Sequence, residues 1–160
     1  MKKVIFFIGM LFFLMNNAFA QKGIKAVGTH LGYGSEIKSV SIGLKFQYNI
    51  TDNIRLEPSM NYFFEKDEIS QLDLNANAHY LFPMASNIRL YPIGGLTFAR
   101  WSFDYDVNGF SNDVTRLGVN LGGGAEMDIT DKLMINCELK YQFVSDFDQA
   151  VFNLGVAYMF

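Results

Sequence analysis

Apolar and polar residues alternate with a period of two along most of this chain. From Val40 the even positions read Val40, Ile42, Leu44, Phe46, Tyr48, Ile50, and the odd ones Ser41, Gly43, Lys45, Gln47, Asn49. The same alternation runs through Ile54 to Phe64, Leu72 to Phe82, Leu133 to Phe143 and Phe152 to Phe160. Strict alternation is the signature of a strand with two unlike faces. It predicts eight strands, at 24–34, 39–50, 54–64, 71–82, 88–107, 110–129, 133–143 and 150–160. Most approach the roughly 9–11 residues that a tilted strand needs to cross a bilayer, well above the usual globular length of about 5–6. Thr51-Asp52-Asn53, Pro83 to Asn87 and Thr130-Asp131-Lys132 are tight connections, whereas those after Gly34, Phe64, Phe103 and Phe143 are more polar and mostly longer. Two hairpins open on a repeat, Asn53-Ile54-Arg55-Leu56-Glu57-Pro58 and Asn87-Ile88-Arg89-Leu90-Tyr91-Pro92. Short turns on one side and longer loops on the other suit an up-and-down barrel.

The polar face decides which solvent the barrel meets. A water-facing surface is rich in Lys and Glu. Here the polar parity carries mainly Gly, Ser, Asn and Gln with a few charges, groups that fit a narrow lumen, while aromatics such as Tyr48, Tyr62, Phe64, Tyr80, Phe82, Tyr141 and Phe143 gather near strand ends. Lipid offers no hydrogen bonds, so a spanning sheet must close. The fold class predicted is all-β, a closed eight-stranded antiparallel up-and-down transmembrane β-barrel over residues 21–160. Residues 1–20 read as a cleaved signal peptide: Lys2 and Lys3, an apolar run from Val4 to Met15, then Ala18-Phe19-Ala20. The charges on the inward parity balance, with Lys45, Arg55, Arg89, Arg116 and Lys140 against Glu57, Asp73, Glu126, Asp128 and Glu138. Unpaired charges in so narrow a space would be costly, so they are predicted to pair and plug the lumen.

Asn108-Gly109 is a strong hairpin signal, since both positions tolerate the positive φ of a type I′ turn. A two-residue turn there would pair Phe98 with Val119, Leu96 with Leu121, Leu90 with Met127 and Ile88 with Ile129 on the lipid side. On the lumen side it would pair Trp101 with Arg116, Thr97 with Asn120, Gly95 with Gly122, Ile93 with Gly124, Tyr91 with Glu126 and Arg89 with Asp128. This hairpin is too long for the bilayer, so residues 102–115 are predicted to project as a ribbon, with Asp104 facing Asp113 in water. Its contact surface would be Phe103, Tyr105, Asn108, Gly109 and Phe110. Pro58 and Pro92 each lack a ladder donor and should break a bond locally. Arg100 falls on the lipid parity, which places it at the outer headgroup level.

Composition narrows the chemistry. The 160 residues are half hydrophobic and carry a formal charge of -3, so no basic nucleic-acid footprint exists. Losing Lys2 and Lys3 with the leader leaves 11 basic against 16 acidic residues. One Cys and two His make neither a disulfide nor a zinc site, and no cofactor or metal is implied. His30 and His79 are the only histidines, both on the inward parity with no neighbouring acid in sequence, so no enzyme is expected. Gly122-Gly123-Gly124 lacks the Lys and helix of a phosphate loop. Cys137 on the lipid parity reads as an apolar filler, and Glu65-Lys66-Asp67-Glu68 as a solvated loop without calcium-ligand spacing.

Leu90-Tyr91-Pro92-Ile93-Gly94-Gly95-Leu96, the run from Leu117 to Glu126, and Thr130-Asp131-Lys132-Leu133 together resemble the outer-membrane β-barrel domain family of small OmpA/OmpX-type barrels. The resemblance covers residues 23–160 and implies a Gram-negative outer membrane with both termini periplasmic. Leu154, Val156, Tyr158 and Phe160 look like the C-terminal signal read by the outer-membrane assembly machinery. The function expected is structural or surface-interacting and adhesin-like; alternatives are a small pore or hydrophobic-ligand barrel, and behind it a lipid-modifying enzyme. Expected partners are outer-membrane lipid, the assembly machinery and an extracellular surface partner, with the chain a monomer.

Overall fold

The computed structural model describes residues 21–66, 69–103 and 112–160. The strands are β1 (Lys25–Gly34), β2 (Ser39–Asn49), β3 (Ile54–Lys66), β4 (Ile69–Tyr80), β5 (Phe82–Pro83), β6 (Ile88–Phe103), β7 (Asn112–Asp128), β8 (Leu133–Val144) and β9 (Gln149–Met159). Each pairs antiparallel with its neighbours, and β1 pairs with β9, from Ala26 opposite Met159 to Gly34 opposite Val151, which closes the barrel. β5 is only the end of β4, in the same register against β6, so the barrel has eight strands. The predicted leader, 1–20, lies outside the described residues, as do Asp104, Tyr105, Asn108, Gly109 and Phe110.

The faces are those of a membrane barrel. Leu44, Leu74, Leu139 and Leu154 stand about half exposed on the outside, while Gln142, Asn120, Asp73 and Asn61 are fully buried within. Burial alternates residue by residue through β2 and β8. The tight turns are built alike: Thr51 Oγ1 accepts the N–H of Asn53 and Ile54 at 3.3 and 2.9 Å, and Thr130 Oγ1 those of Lys132 and Leu133 at 3.3 and 3.0 Å.

Both prolines interrupt one ladder and keep its register. Pairing of β2 with β3 lapses between Lys45–Ser59 and Tyr48–Leu56, at Pro58, and pairing of β6 with the β4–β5 line lapses between His79–Ile93 and Phe82–Leu90, at Pro92. In each case the missing N–H faces the preceding strand, while the other side stays paired, Pro58 to Ala76 and Pro92 to Gly123.

The β6–β7 register differs from the one that Asn108-Gly109 predicts. Arg89 stands opposite Glu126, not Asp128; Tyr91 opposite Gly124, Ile93 opposite Gly122, Gly95 opposite Asn120 and Thr97 opposite Gly118. The outward pairs shift equally, Leu96 to Val119 and Ile88 to Met127. Packing supplies the reason. A Cβ on Gly124 would lie 2.6 Å from ring carbons of Tyr91, so the ring occupies the space the glycine leaves. The predicted register would have set Tyr91 against Glu126 instead of Gly124. A slip of two residues leaves every side chain on its own face, which is why the face assignment survives it.

Candidate functional site

Inward parity brings side chains from all the strands into layers. Nearest the tight turns, Arg55 donates to Glu126 through both terminal nitrogens, at 2.5 and 2.9 Å, and through Nε to Asn49 Oδ1 at 2.8 Å. Arg89 donates Nε to the same Glu126 at 2.5 Å and Nη1 to Asp128 Oδ2 at 2.8 Å, with Nη2 on the other Asp128 oxygen. Arg89 therefore does reach Asp128, but as a diagonal neighbour, a distance a long guanidinium spans. Fork-shaped guanidinium donors match carboxylates, which holds three strands on two anions.

The middle layer is centred on Lys45. Its Nζ donates to Asn136 Oδ1 and Glu138 Oε1, each at 2.9 Å, and stands 3.6 Å from Glu57 Oε2. Tyr91 donates its hydroxyl to Glu138 at 2.9 Å, and Gln47 Nε2 to Glu57 at 2.8 Å. His79 stacks on Tyr91, ring centroids 4.7 Å apart, with Nε2 3.9 Å from Glu57 Oε1. The fold thus gives His79 an acidic neighbour that sequence spacing did not reveal. His30 shares a 2.6 Å hydrogen bond with Asn61.

Toward the longer loops the layer is mostly amide. Asp73 accepts from Gln71 at 2.6 Å and Gln142 at 3.1 Å, Gln149 donates to Gln142 at 2.8 Å, and Asn120 donates to Asn75 and Asn77 at 2.9 Å. Lys140 is buried here within the fields of Glu138 and Asp73, with no ion pair among the described residues. Above it Trp101 stacks on Phe147 at 4.5 Å, packed with Ala99, Val144 and Ile69. Ala26, Met134 and Ala157 make a smaller apolar cluster at the opposite end. Among the described residues no group of three or more His, Cys, Asp or Glu is placed to hold a metal.

Placement departs from prediction for one charge. Lys45, Arg55, Glu57, Asp73, Arg89, Glu126, Glu138 and Lys140 are buried and Asp128 is half-buried, but Arg116 is exposed, its Nη1 on the carbonyl of Thr115 at 3.2 Å. Arg116 has inward parity but lies beyond the closed wall. β8 ends at Val144, opposite Gly118, and leaves residues 112–117 of β7 without a strand on that side among the described residues. Arg116 therefore does not belong to the lumen. The amide layer and the Trp101–Phe147 cap escaped the sequence reading; inward Asn and Gln could have suggested the first, but Phe147 sits in a turn, where no parity applies. Leu154, Val156, Tyr158 and Phe160 all lie on the exposed outer face.

The family profile of the outer membrane protein beta-barrel domain matches residues 11–160. The chain belongs to that family. Solved outer-membrane barrels align with it along almost their whole length: the N-terminal β-barrel domain of Pseudomonas aeruginosa OprF (17% identity, TM-score 0.72, 87% of this chain and 98% of that one), Ail of Yersinia pestis (18%, 0.65, 87% and 99%), and Neisserial surface protein A (18%, 0.68, 86% and 96%). At these identities the likeness is one of fold. No curated protein matches. As an outer-membrane barrel the protein turns its outer face to lipid, and in such barrels the tight turns are periplasmic and the longer loops extracellular.

Proposed function

We propose that this outer-membrane protein has a surface-interaction, adhesin-like role, with the β6–β7 ribbon as its contact surface and the lumen as a sealed polar core. The observation that carries it is the unequal strand length. β7 runs on to Asn112 with only β6 beside it among the described residues, six residues past the point where β8 stops. The paired charges and the Trp101–Phe147 cap support a closed lumen. Residues 1–20 act as the cleaved signal peptide, and the outer-face residues Leu154, Val156, Tyr158 and Phe160 as the signal for the assembly machinery. The chain works as a monomer and is not an enzyme; His79 and His30 serve as buried packing and hydrogen-bonding groups. Ail, of the same fold, is an attachment invasion locus protein and has been solved with the heparin analogue sucrose octasulfate.

A second reading, a small conduit, is favoured by His30 Nδ1, Ser41 Oγ, Asn61 Nδ2 and Asn153 Oδ1, which find no protein partner among the described residues and so suit internal water. Planar-bilayer recording separates the readings: reproducible conductance steps from refolded protein support the conduit. The surface role is tested by excising 102–113 and joining Trp101 to Val114 through Asn-Gly, which keeps their native pairing. Cells expressing this variant should lose adhesion while the barrel keeps its heat-modifiable migration. Equal adhesion with and without the ribbon overturns the role.

A further inference from the structure

The ribbon has two edges, and they are not equivalent. On the β6 side β4 extends alongside it as far as Ile69 opposite Phe103, so that edge is covered. On the β7 side the neighbour stops at Val144.

The direction of the exposed backbone groups follows from Val144. Its N–H goes to Asp148 Oδ1 at 2.8 Å and its carbonyl accepts from Phe147 N at 2.9 Å, both away from β7. Gly118 and Val144 are therefore a non-hydrogen-bonded pair. Along an antiparallel ladder such pairs alternate with hydrogen-bonded ones. Gly118 and Arg116 then bond to β6, whereas Leu117 and Thr115 direct N–H and C=O to the side where β8 has ended. Among the described residues no group bonds the N–H of either. Such an edge is a template for another strand, and natural sheets guard it with charge. Arg116 is placed to do that, since its guanidinium already covers one of these acceptors, the Thr115 carbonyl.

We propose that the free edge of β7 at Thr115 and Leu117 receives an extended segment of a partner protein, antiparallel to β7 and in line with β8, with a carboxylate opposite Arg116. This rests on the ribbon being the contact surface. A strand added here takes up the two N–H and two C=O groups, the main-chain mode of strand addition. Side chains set the choice. Residues directly opposite share a face, so the partner residues facing Thr115 and Leu117 lie on the outer side, where Leu117 is 67% exposed and favours an apolar neighbour. The residue between them meets Arg116. An acid there draws the guanidinium off the Thr115 carbonyl and frees that acceptor, while a base is repelled. Arg116 thus both guards the edge and selects what opens it.

The test uses the full mature chain refolded in phospholipid nanodiscs, with an end-blocked peptide Thr-Val-Glu-Val-Thr as probe. Amide hydrogen exchange at Thr115 and Leu117 should slow at least tenfold at saturating peptide, while Arg116, whose own N–H already faces β6, is unchanged. A peptide with Lys for Glu, and one N-methylated at both Val, should give no protection. Arg116→Glu should reverse the Glu–Lys preference. Thr115→Pro, which removes an N–H that the barrel does not use, should abolish protection with the fold intact. Absence of protection by the Glu peptide, equal protection by the N-methylated one, or protection by a heparin oligosaccharide in its place would each overturn the proposal. If excision of 102–113 abolishes adhesion but Thr115→Pro does not, the surface role stands and the edge assignment falls. If excision leaves adhesion unchanged, the surface role itself fails.

Discussion

Replacing Glu126 with Gln asks whether the lumen behaves as a low-dielectric interior. The carboxylate is 2% exposed and holds Arg55 through two bonds and Arg89 through one. In the variant Arg89 keeps Asp128, but Arg55 loses its ionic partner and is left with neutral acceptors only, Asn49 Oδ1 and the amide oxygen of the new Gln. Removing one partner of a buried pair costs about 3–5 kcal/mol, because the desolvation of the other charge is no longer offset. An exposed pair is worth only about 0–1 kcal/mol. Glu126→Gln should therefore lower the unfolding free energy by about 3–5 kcal/mol. In reversible urea unfolding from phospholipid vesicles, with a slope of about 1–3 kcal/mol per molar for a small protein, the midpoint falls by at least about 1 M at unchanged slope. Adding Arg55→Met should recover part of the loss, since it removes the stranded cation, and the double-mutant cycle reads the coupling. A loss under about 1 kcal/mol would refute the reasoning, because bulk-like water would then be screening the clasp.

Three other outcomes are expected. Gly124→Ala sets a methyl 2.6 Å from the Tyr91 ring and should cost about 1–3 kcal/mol by overpacking, whereas Gly94→Ala meets nothing within 4 Å and should be neutral or stabilising by about 0.5–1 kcal/mol; equal effects in urea unfolding would contradict the Tyr91 placement. Leu139, 59% exposed on the lipid face, should cost about 2–4 kcal/mol when replaced with Arg if it lies near the midplane, and a loss below about 1 kcal/mol would place it away from the acyl chains. Trp101 is the only tryptophan, so its fluorescence reports the cap alone: brominated lipid should quench it little, and Phe147→Ala should open it to acrylamide. Strong quenching by brominated lipid would mean the indole faces outward.

What the sequence makes legible here is what burial enforces residue by residue. Apolar outside and polar inside repeats at every second position, so strand number, facing and the lumen residues can be read without a structure. Register cannot. Sliding β6 by two against β7 preserves each face, and the choice falls to bulk: the Tyr91 ring fills the space that Gly124 leaves. Arg116 is illegible for a related reason. Its own strand gives it inward parity, but the early end of β8 decides whether a lumen exists at that height. Asp73 shows a third limit. A charge balance drawn across strands suggests an ionic partner, yet the closed wall brings it the amides of Gln71 and Gln142.

The Asn-Ile-Arg-Leu-x-Pro repeat explains why the clasp has two arginines rather than three. In both copies the Asn carbonyl accepts an N–H from the strand beyond, Leu81 to Asn53 at 2.7 Å and Asp128 to Asn87 at 2.9 Å, so the two hairpins start at matched depths. Arg55 and Arg89 then enter the lumen one hairpin apart, close enough to share Glu126. The third tight turn repeats the architecture, with Lys132 accepting from Met159 N at 2.8 Å, but the position equivalent to Arg55 is Met134 and that of Pro58 is Cys137. Without a proline the β7–β8 ladder runs unbroken through Cys137. Without a third guanidinium, two cations face Glu126 and Asp128 at neutrality, and Met134 offers a fully buried sulfur 3.8 Å from Arg89 Nη2. A third arginine would set three cations against these two carboxylates, and burying the unmatched one would be costly, so Met134 suits this turn better than a third copy of the motif's arginine.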